Sequence, residues 1–171
     1  MKKKILFIMH LPPPVHGMSM LCEQIRNNKD INSEFECRYI NLSASRSAKE
    51  VSQYGLLQIV RKLWRFSGAL LHTFWKLLTY RPVCCYLSIT CHGIPFLKDA
   101  PFVLLCKLFR CRIILHQHNK GMKNYATKPI YRLLLPLVYR NTTVVLLSWR
   151  LYDDISAIVQ REQVRICPNG I

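Results

Sequence analysis

Carboxylates are scarce in this chain. Nine Asp and Glu stand against 25 Lys and Arg, a formal net charge of +16 over 171 residues. A two-carboxylate hydrolase needs its acidic pair on facing strand ends. Here the nearest pair, Asp153 and Asp154, is adjacent on a predicted helix, where neighbours diverge, so hydrolysis is set aside. Long apolar runs are missing too. The uncharged stretch inside the long helical pattern, Phe66 to Trp75, falls far short of the roughly 20 residues of a spanning helix. A secretory signal is not visible: after Met1-Lys2-Lys3-Lys4 the apolar run Ile5–Met9 meets His10 and three prolines. These absences lead us to expect a cytoplasmic protein, with peripheral contact at the inner face of the membrane left open.

The eight cysteines form no C-x-x-C pair and sit mostly among apolar neighbours, which reads as free, buried thiols in a reducing compartment. Cys91, His92, His116 and His118 lack the usual zinc-ligand spacing, so no metal is expected. The basic residues are scattered, without zinc-finger spacing or an RNP-like aromatic motif, so nucleic acid is not expected as a partner. The cationic excess still calls for something anionic, such as acidic lipid headgroups or phosphorylated small molecules.

Half of the residues are hydrophobic, enough for a packed core, and the length suits a single domain over residues 1–171. Apolar, β-branched runs alternate with helical patterns. Lys4–Met9, Phe35–Leu42, Val83–Ile89, Arg112–Leu115, Thr142–Leu147 and the segment from Val164 read as strands. Helices are expected over Ser19–Asn28, with Ser19 or a neighbour as cap, and from Tyr54 to Tyr80. Others are expected from an opening at Lys98–Pro101 to Phe109, over Ile130–Arg140 with a kink or break at Pro136, and over Leu151–Val159. Ser43–Ser52 is polar and Ser-rich, a loop. This alternation predicts an α/β fold: a Rossmann-like parallel sheet with helices on both faces.

The segment Cys111–Met122, CRIILHQHNKGM, is the centre of the functional reading. A buried strand ends abruptly in His116, Gln117, His118, Asn119, Lys120 and Gly121, placing polar groups where open α/β sheets bind ligands. In extended chain His116 and His118 share a face and Gln117 points the other way. Imidazole, amide and ammonium suit an anionic, hydroxyl-rich ligand. For His116 a purely structural role is as good a reading. Thr90, His92 and Gly93 end the preceding strand. The first loop, HLPPPVHGMS, brings His16 and Gly17 between a strand and a helix, a layout that lets backbone N–H groups approach phosphate. It lacks G-x-G-x-x-G, so a plain connection stiffened by prolines fits equally.

Tyr54–Tyr80 is apolar at three- and four-residue steps, widened by Trp64, Leu71 and Trp75, with Arg61, Lys62, Arg65 and Lys76 but no acidic residue. Two readings stay open: an amphipathic helix on an anionic membrane surface, or a helix packed on a sheet with a solvated basic edge.

Three stretches carry a resemblance: KILFIMHLPPPVHGMS, GIPFLKDAPFVLLCKLFRCRIILHQHNKG and VVLLSWRLYDDI followed by VRICPNGI. Over nearly its whole length the chain resembles the amino-terminal, acceptor-binding half of family 4 glycosyltransferases, with the HxHN and PNGI pieces the most specific. The resemblance implies one half of a two-domain GT-B architecture. It also implies transfer of a sugar, with retained configuration, from a nucleotide-sugar to a lipid-linked or polysaccharide acceptor, as in polysaccharide biosynthesis. His118 matches the family's cleft histidine, which contacts the transferred sugar, and so is the expected catalytic residue. His116, Asn119 and Lys120 would line the same wall. Gly17 and His16 would lie near sugar or phosphate, and Thr90, His92 and Gly93 near the acceptor. No cofactor is implied beyond the nucleotide-sugar donor as substrate. The donor-binding domain, with its basic pair and Glu-rich signature, has no counterpart before Ile171. The expectation is therefore a chain inactive without that domain or a partner subunit. The alternative is a non-catalytic, truncated or split-subunit module that binds a partner domain or an anionic membrane surface.

Overall fold

The computed structural model describes residues 2–43 and 55–168. The chain divides into two units, Met1–Val83 and Cys84–Ile171, each built of parallel strands joined through helices. The fold is α/β and Rossmann-like, as the alternation predicts.

In the first unit, strand β1 (Lys4–Met9) pairs in parallel with β2 (Glu36–Asn41), in register from Lys4 opposite Glu36 to Met9 opposite Asn41. Leu6, Phe7, Ile8 and Met9 are all buried, which is why KILFIM is apolar without alternation. Helix α1 (Gly17–Asn27) starts two residues earlier than the apolar spacing suggests. His16 is its cap: Nδ1 accepts the Ser19 N–H at 3.3 Å, and Ser19 Oγ accepts the His16 N–H at 2.9 Å. Ser19 thus answers the cap from the third helical position. A short helix α2 (Lys29–Glu34), which the sequence reading passes over, is capped by Asn28 Oδ1 accepting the Ile31 N–H at 2.9 Å. Helix α3 (Leu56–Tyr80) runs 25 residues, buries Thr73, Leu77 and Tyr80, and ends where Arg81 turns left-handed. The Tyr80 hydroxyl donates to the Glu36 carbonyl, tying the helix end to the start of β2. Beyond Ser43, the Ser-rich loop lies outside the described residues.

In the second unit, β3 (Cys84–Ile89), β4 (Arg112–Gln117), β5 (Thr143–Leu146) and β6 (Val164–Ile166) lie side by side in sequence order, every pair parallel. One face carries Cys85, Leu87, Ile89, Ile113, Leu115, Val144 and Leu146, all buried. Helix α4 (Gly93–Leu108) packs on β3 and β4 and against α6 (Pro129–Tyr139); the four-residue α5 (Met122–Tyr125) precedes α6. Lys107 Nζ donates to the Leu137 and Arg140 carbonyls at 2.6 and 2.5 Å, closing the carboxyl end of α6.

Three element boundaries differ from the sequence reading. Helix α4 opens at Gly93, not at Lys98–Pro101, so Pro101 sits in its interior. Asp99 is no cap: its Oδ2 accepts the Thr90 N–H at 3.1 Å. Pro136 neither breaks nor ends α6, which continues to Tyr139 because burial of Leu135, Val138 and Tyr139 outweighs one lost backbone bond. The expected helix over Leu151–Val159 reduces to a 3-10 turn (Trp149–Leu151) and the single-turn α7 (Tyr152–Ile155). Pro168 is described; the Asn-Gly-Ile that follows lies outside the described residues.

Candidate functional site

The polar cluster forms where β3 and β4 end. Register places Ser88 opposite His116 and Ile89 opposite Gln117, so Thr90–Gly93 and His118–Gly121 leave the sheet beside each other. Strand β4 runs two residues further than its apolar core, and this extension sets the site's geometry. Period-two alternation puts His116 and His118 on one face. Their ring centroids lie 4.0 Å apart at an interplanar angle of 34°. Gln117 faces the opposite way and is fully buried. Its Oε1 accepts the Tyr139 hydroxyl at 2.8 Å, and its Nε2 donates to the Asn119 carbonyl at 3.0 Å.

His116 is 3 % exposed, and its Nδ1 shares a hydrogen bond with the Tyr86 hydroxyl. Burial, with the neighbouring His118 second, lowers its pKa to about 4. Burial also lowers that of His118. Both rings are therefore neutral at neutral pH. Nε2 of each ring is buried and meets no hydrogen-bond partner among the described residues. A neutral imidazole nitrogen is either an N–H donor or a lone-pair acceptor, and which one is set by its other nitrogen. Where Tyr86 donates to Nδ1, His116 presents an N–H at Nε2. Two such atoms side by side are an uncompensated cost to the fold that a ligand can remove.

Asn119, expected to line the wall, ties the two strand ends together. Its Oδ1 accepts the Cys91 N–H at 3.2 Å, its carbonyl accepts the Cys91 thiol at 3.4 Å, and its Nδ2 lies 3.2 Å from His92 Nδ1. Burial pushes the Cys91 thiol up to about 12, so it is an inert thiol. His92 lies over Gly121 and meets Tyr125 with ring centroids 5.3 Å apart. Gly93 has φ +69 at the first position of α4, and Thr90 and Lys120 flank the cluster, Lys120 exposed. His16 and Gly17 belong to the first unit, where His16 Nδ1 is occupied as the α1 cap. Among the described residues no group of three His, Cys, Asp or Glu side chains could hold a metal ion. None of the eight cysteines is in a disulfide.

Two residues that matter here were not expected at the site: Tyr86 drew no reading from the sequence, and Asp154 was weighed only as half of an acidic pair. Tyr86 holds His116, and a Tyr in a strand gives no local sign of its cross-strand partner. Asp154 is buried and accepts the Gly121 and Met122 N–H groups at 2.8 Å through Oδ2 and the Lys123 N–H at 3.3 Å through Oδ1. Its neighbour Asp153 is exposed, so the two carboxylates do diverge.

Gly121 has φ +134, and a Cβ there would stand 2.9 Å from His92 Nδ1. Gly121→Ala is expected to cost about 2 kcal/mol, through left-handed strain and displacement of a ring already tied to Asn119. Urea denaturation measures it; a variant as stable as wild type would show that His92 gives way freely.

Neither a known family model nor any curated protein matches the chain.

Proposed function

We propose that this chain is the acceptor-binding half of a retaining glycosyltransferase. In this reading the transferred sugar meets His116 and His118 at the carboxyl ends of β3 and β4. The observation that carries the reading is the pair of buried, partnerless Nε2 atoms on adjacent neutral rings. A sugar hydroxyl both donates and accepts, so it satisfies an imidazole nitrogen in either tautomer. A bare phosphate would favour fixed cations, and the ammonium of Lys120, two residues beyond His118, is exposed to solvent. The position beyond strand carboxyl ends supports a ligand site in an α/β sheet. The resemblance of HQHN and the flanking stretches to family 4 glycosyltransferases supports the choice of sugar transfer. Transfer needs a leaving nucleotide and an acceptor hydroxyl held in place more than it needs a carboxylate pair, which suits a site poor in Asp and Glu. The nucleotide-sugar would be held by a donor-binding domain or partner subunit outside these 171 residues, and the acceptor would be a glycan or lipid-linked sugar.

His118 acts by bonding the sugar hydroxyl at the moment of transfer, while Tyr86 and Asn119 act on it indirectly by setting the strand ends. In the chain assayed with its donor-binding half, His118→Ala is expected to lower transfer about a hundredfold. In the chain alone, nitrogen-15 NMR of the imidazoles during titration with nucleotide-sugars should move His116 and His118 and leave His72 unmoved. Unmoved His116 and His118 resonances across a panel of sugars, or wild-type transfer by His118→Ala, would remove the histidine pair from the site.

A further inference from the structure

The surface of α3 in the first unit divides lengthwise into three. One side packs inward through Phe66, Ala69, Thr73, Leu77 and Tyr80, all half-buried or buried. Advancing at 100° per residue from that side, the next sector holds Leu56, Val60, Trp64, Leu71, Trp75 and Leu78, which share one face through steps of three, four and seven residues. These side chains are exposed, Trp64 by 80 % and Trp75 by 59 %. The third sector holds Arg61, Arg65, His72 and Lys76, and no Asp or Glu occurs anywhere in the helix.

Ten large apolar side chains exposed on one helix of 25 residues exceed what a solvated surface tolerates without a partner. Charge identifies that partner. The stripe is edged by cations alone, on a chain with a net charge of +16, so the surface it meets is apolar in depth and anionic at its rim. Two exposed tryptophans three turns apart suit the headgroup boundary, where indole is wetted at one edge and buried at the other. No described helix is long and apolar enough to cross a membrane, so α3 lies along the surface.

We propose that α3 docks the protein on an anionic lipid bilayer, with Trp64, Leu71, Trp75 and Leu78 in the acyl boundary and Arg61, Arg65 and Lys76 at the phosphates. This inference goes beyond the sugar-transfer reading and does not depend on it.

The test is co-sedimentation of the full chain with large unilamellar vesicles of phosphatidylcholine alone or with about 30 % phosphatidylglycerol. Binding is expected with the acidic vesicles at low salt, falling steeply by about 0.5 M salt as exposed charges are screened. Trp64→Ser/Trp75→Ser should lower partitioning at least tenfold, and Arg61→Gln about fivefold. Trp149→Ser, on the other unit, should leave it unchanged. All four positions are exposed, and circular dichroism of each variant is the check that it folds. Equal binding to neutral vesicles, undiminished binding by the tryptophan pair variant, or no vesicle binding by the folded chain would overturn the proposal. So would a concentration-dependent dimer that buries the two tryptophans without vesicles.

Discussion

Asp154→Ala is expected to destabilise the protein by about 4 kcal/mol. Three consecutive amide groups, those of Gly121, Met122 and Lys123, converge on this one buried carboxylate. Alanine would leave the Met122 amide, on a residue with no exposed surface, with nothing to bond. Each buried group so stranded costs about 1–3 kcal/mol, and bonds to a charged acceptor lie at the upper end. Asp154→Asn keeps one oxygen where the carboxylate has two, so about half the loss is expected. The loop released is the one that places Gly121 under His92, so the variant should also loosen the strand ends around His118. Urea denaturation measures the stability. A loss below about 1 kcal/mol for Asp154→Ala would mean that water replaces the carboxylate.

Acidification provides the second large effect. The His116 pKa lies at about 4 in the folded protein and near 6.5 in the unfolded chain. Between those values the unfolded chain binds a proton that the folded protein refuses, so stability falls as the pH falls. The loss starts near pH 6.5, grows to pH 4 and then levels off, amounting to about 3 kcal/mol from this ring. His118, lowered in the same direction by burial, adds to the loss of stability as the pH falls. Few carboxylates compete for the effect, since the chain has only nine. His116→Gln removes the titrating group while keeping a polar side chain. Its stability should depend less on pH between 7 and 4.5 than that of wild type, as followed by urea denaturation at each pH. Parallel curves for the two proteins would show that His116 does not carry the dependence.

These expectations show how far each part of the molecule could be seen in advance. Strand β1 was legible to the residue because a strand buried on both faces has no choice but a continuous apolar run, and KILFIM is one. The two histidines were legible as a same-face pair because period-two alternation is a local property of extended backbone. The bonds of Asn119 were not legible for the opposite reason: Asn is at home both in a ligand wall and in a loop tie. Its bonds go to Cys91 and His92, 28 and 27 residues away, and no local pattern announces them. The α4 start was missed because Asp99 followed by Pro101 has the chemistry of a helix opening, yet the Asp99 side chain serves the loop before the helix.

Composition and periodicity by themselves determined the α/β class, the strand that ends in HQHN, and the one long cationic helix. Each follows from forces that act between near neighbours in sequence: apolar spacing, β-branching and charge of one sign. Only tertiary structure decided that Asp154 holds the loop beyond β4, that Tyr86 engages His116, and that the apolar stripe of α3 is exposed among the described residues. Those outcomes depend on which distant segments lie against each other. Burial then decides the rest, since the same imidazole that titrates near 6.5 in water stays neutral down to about 4 inside the sheet.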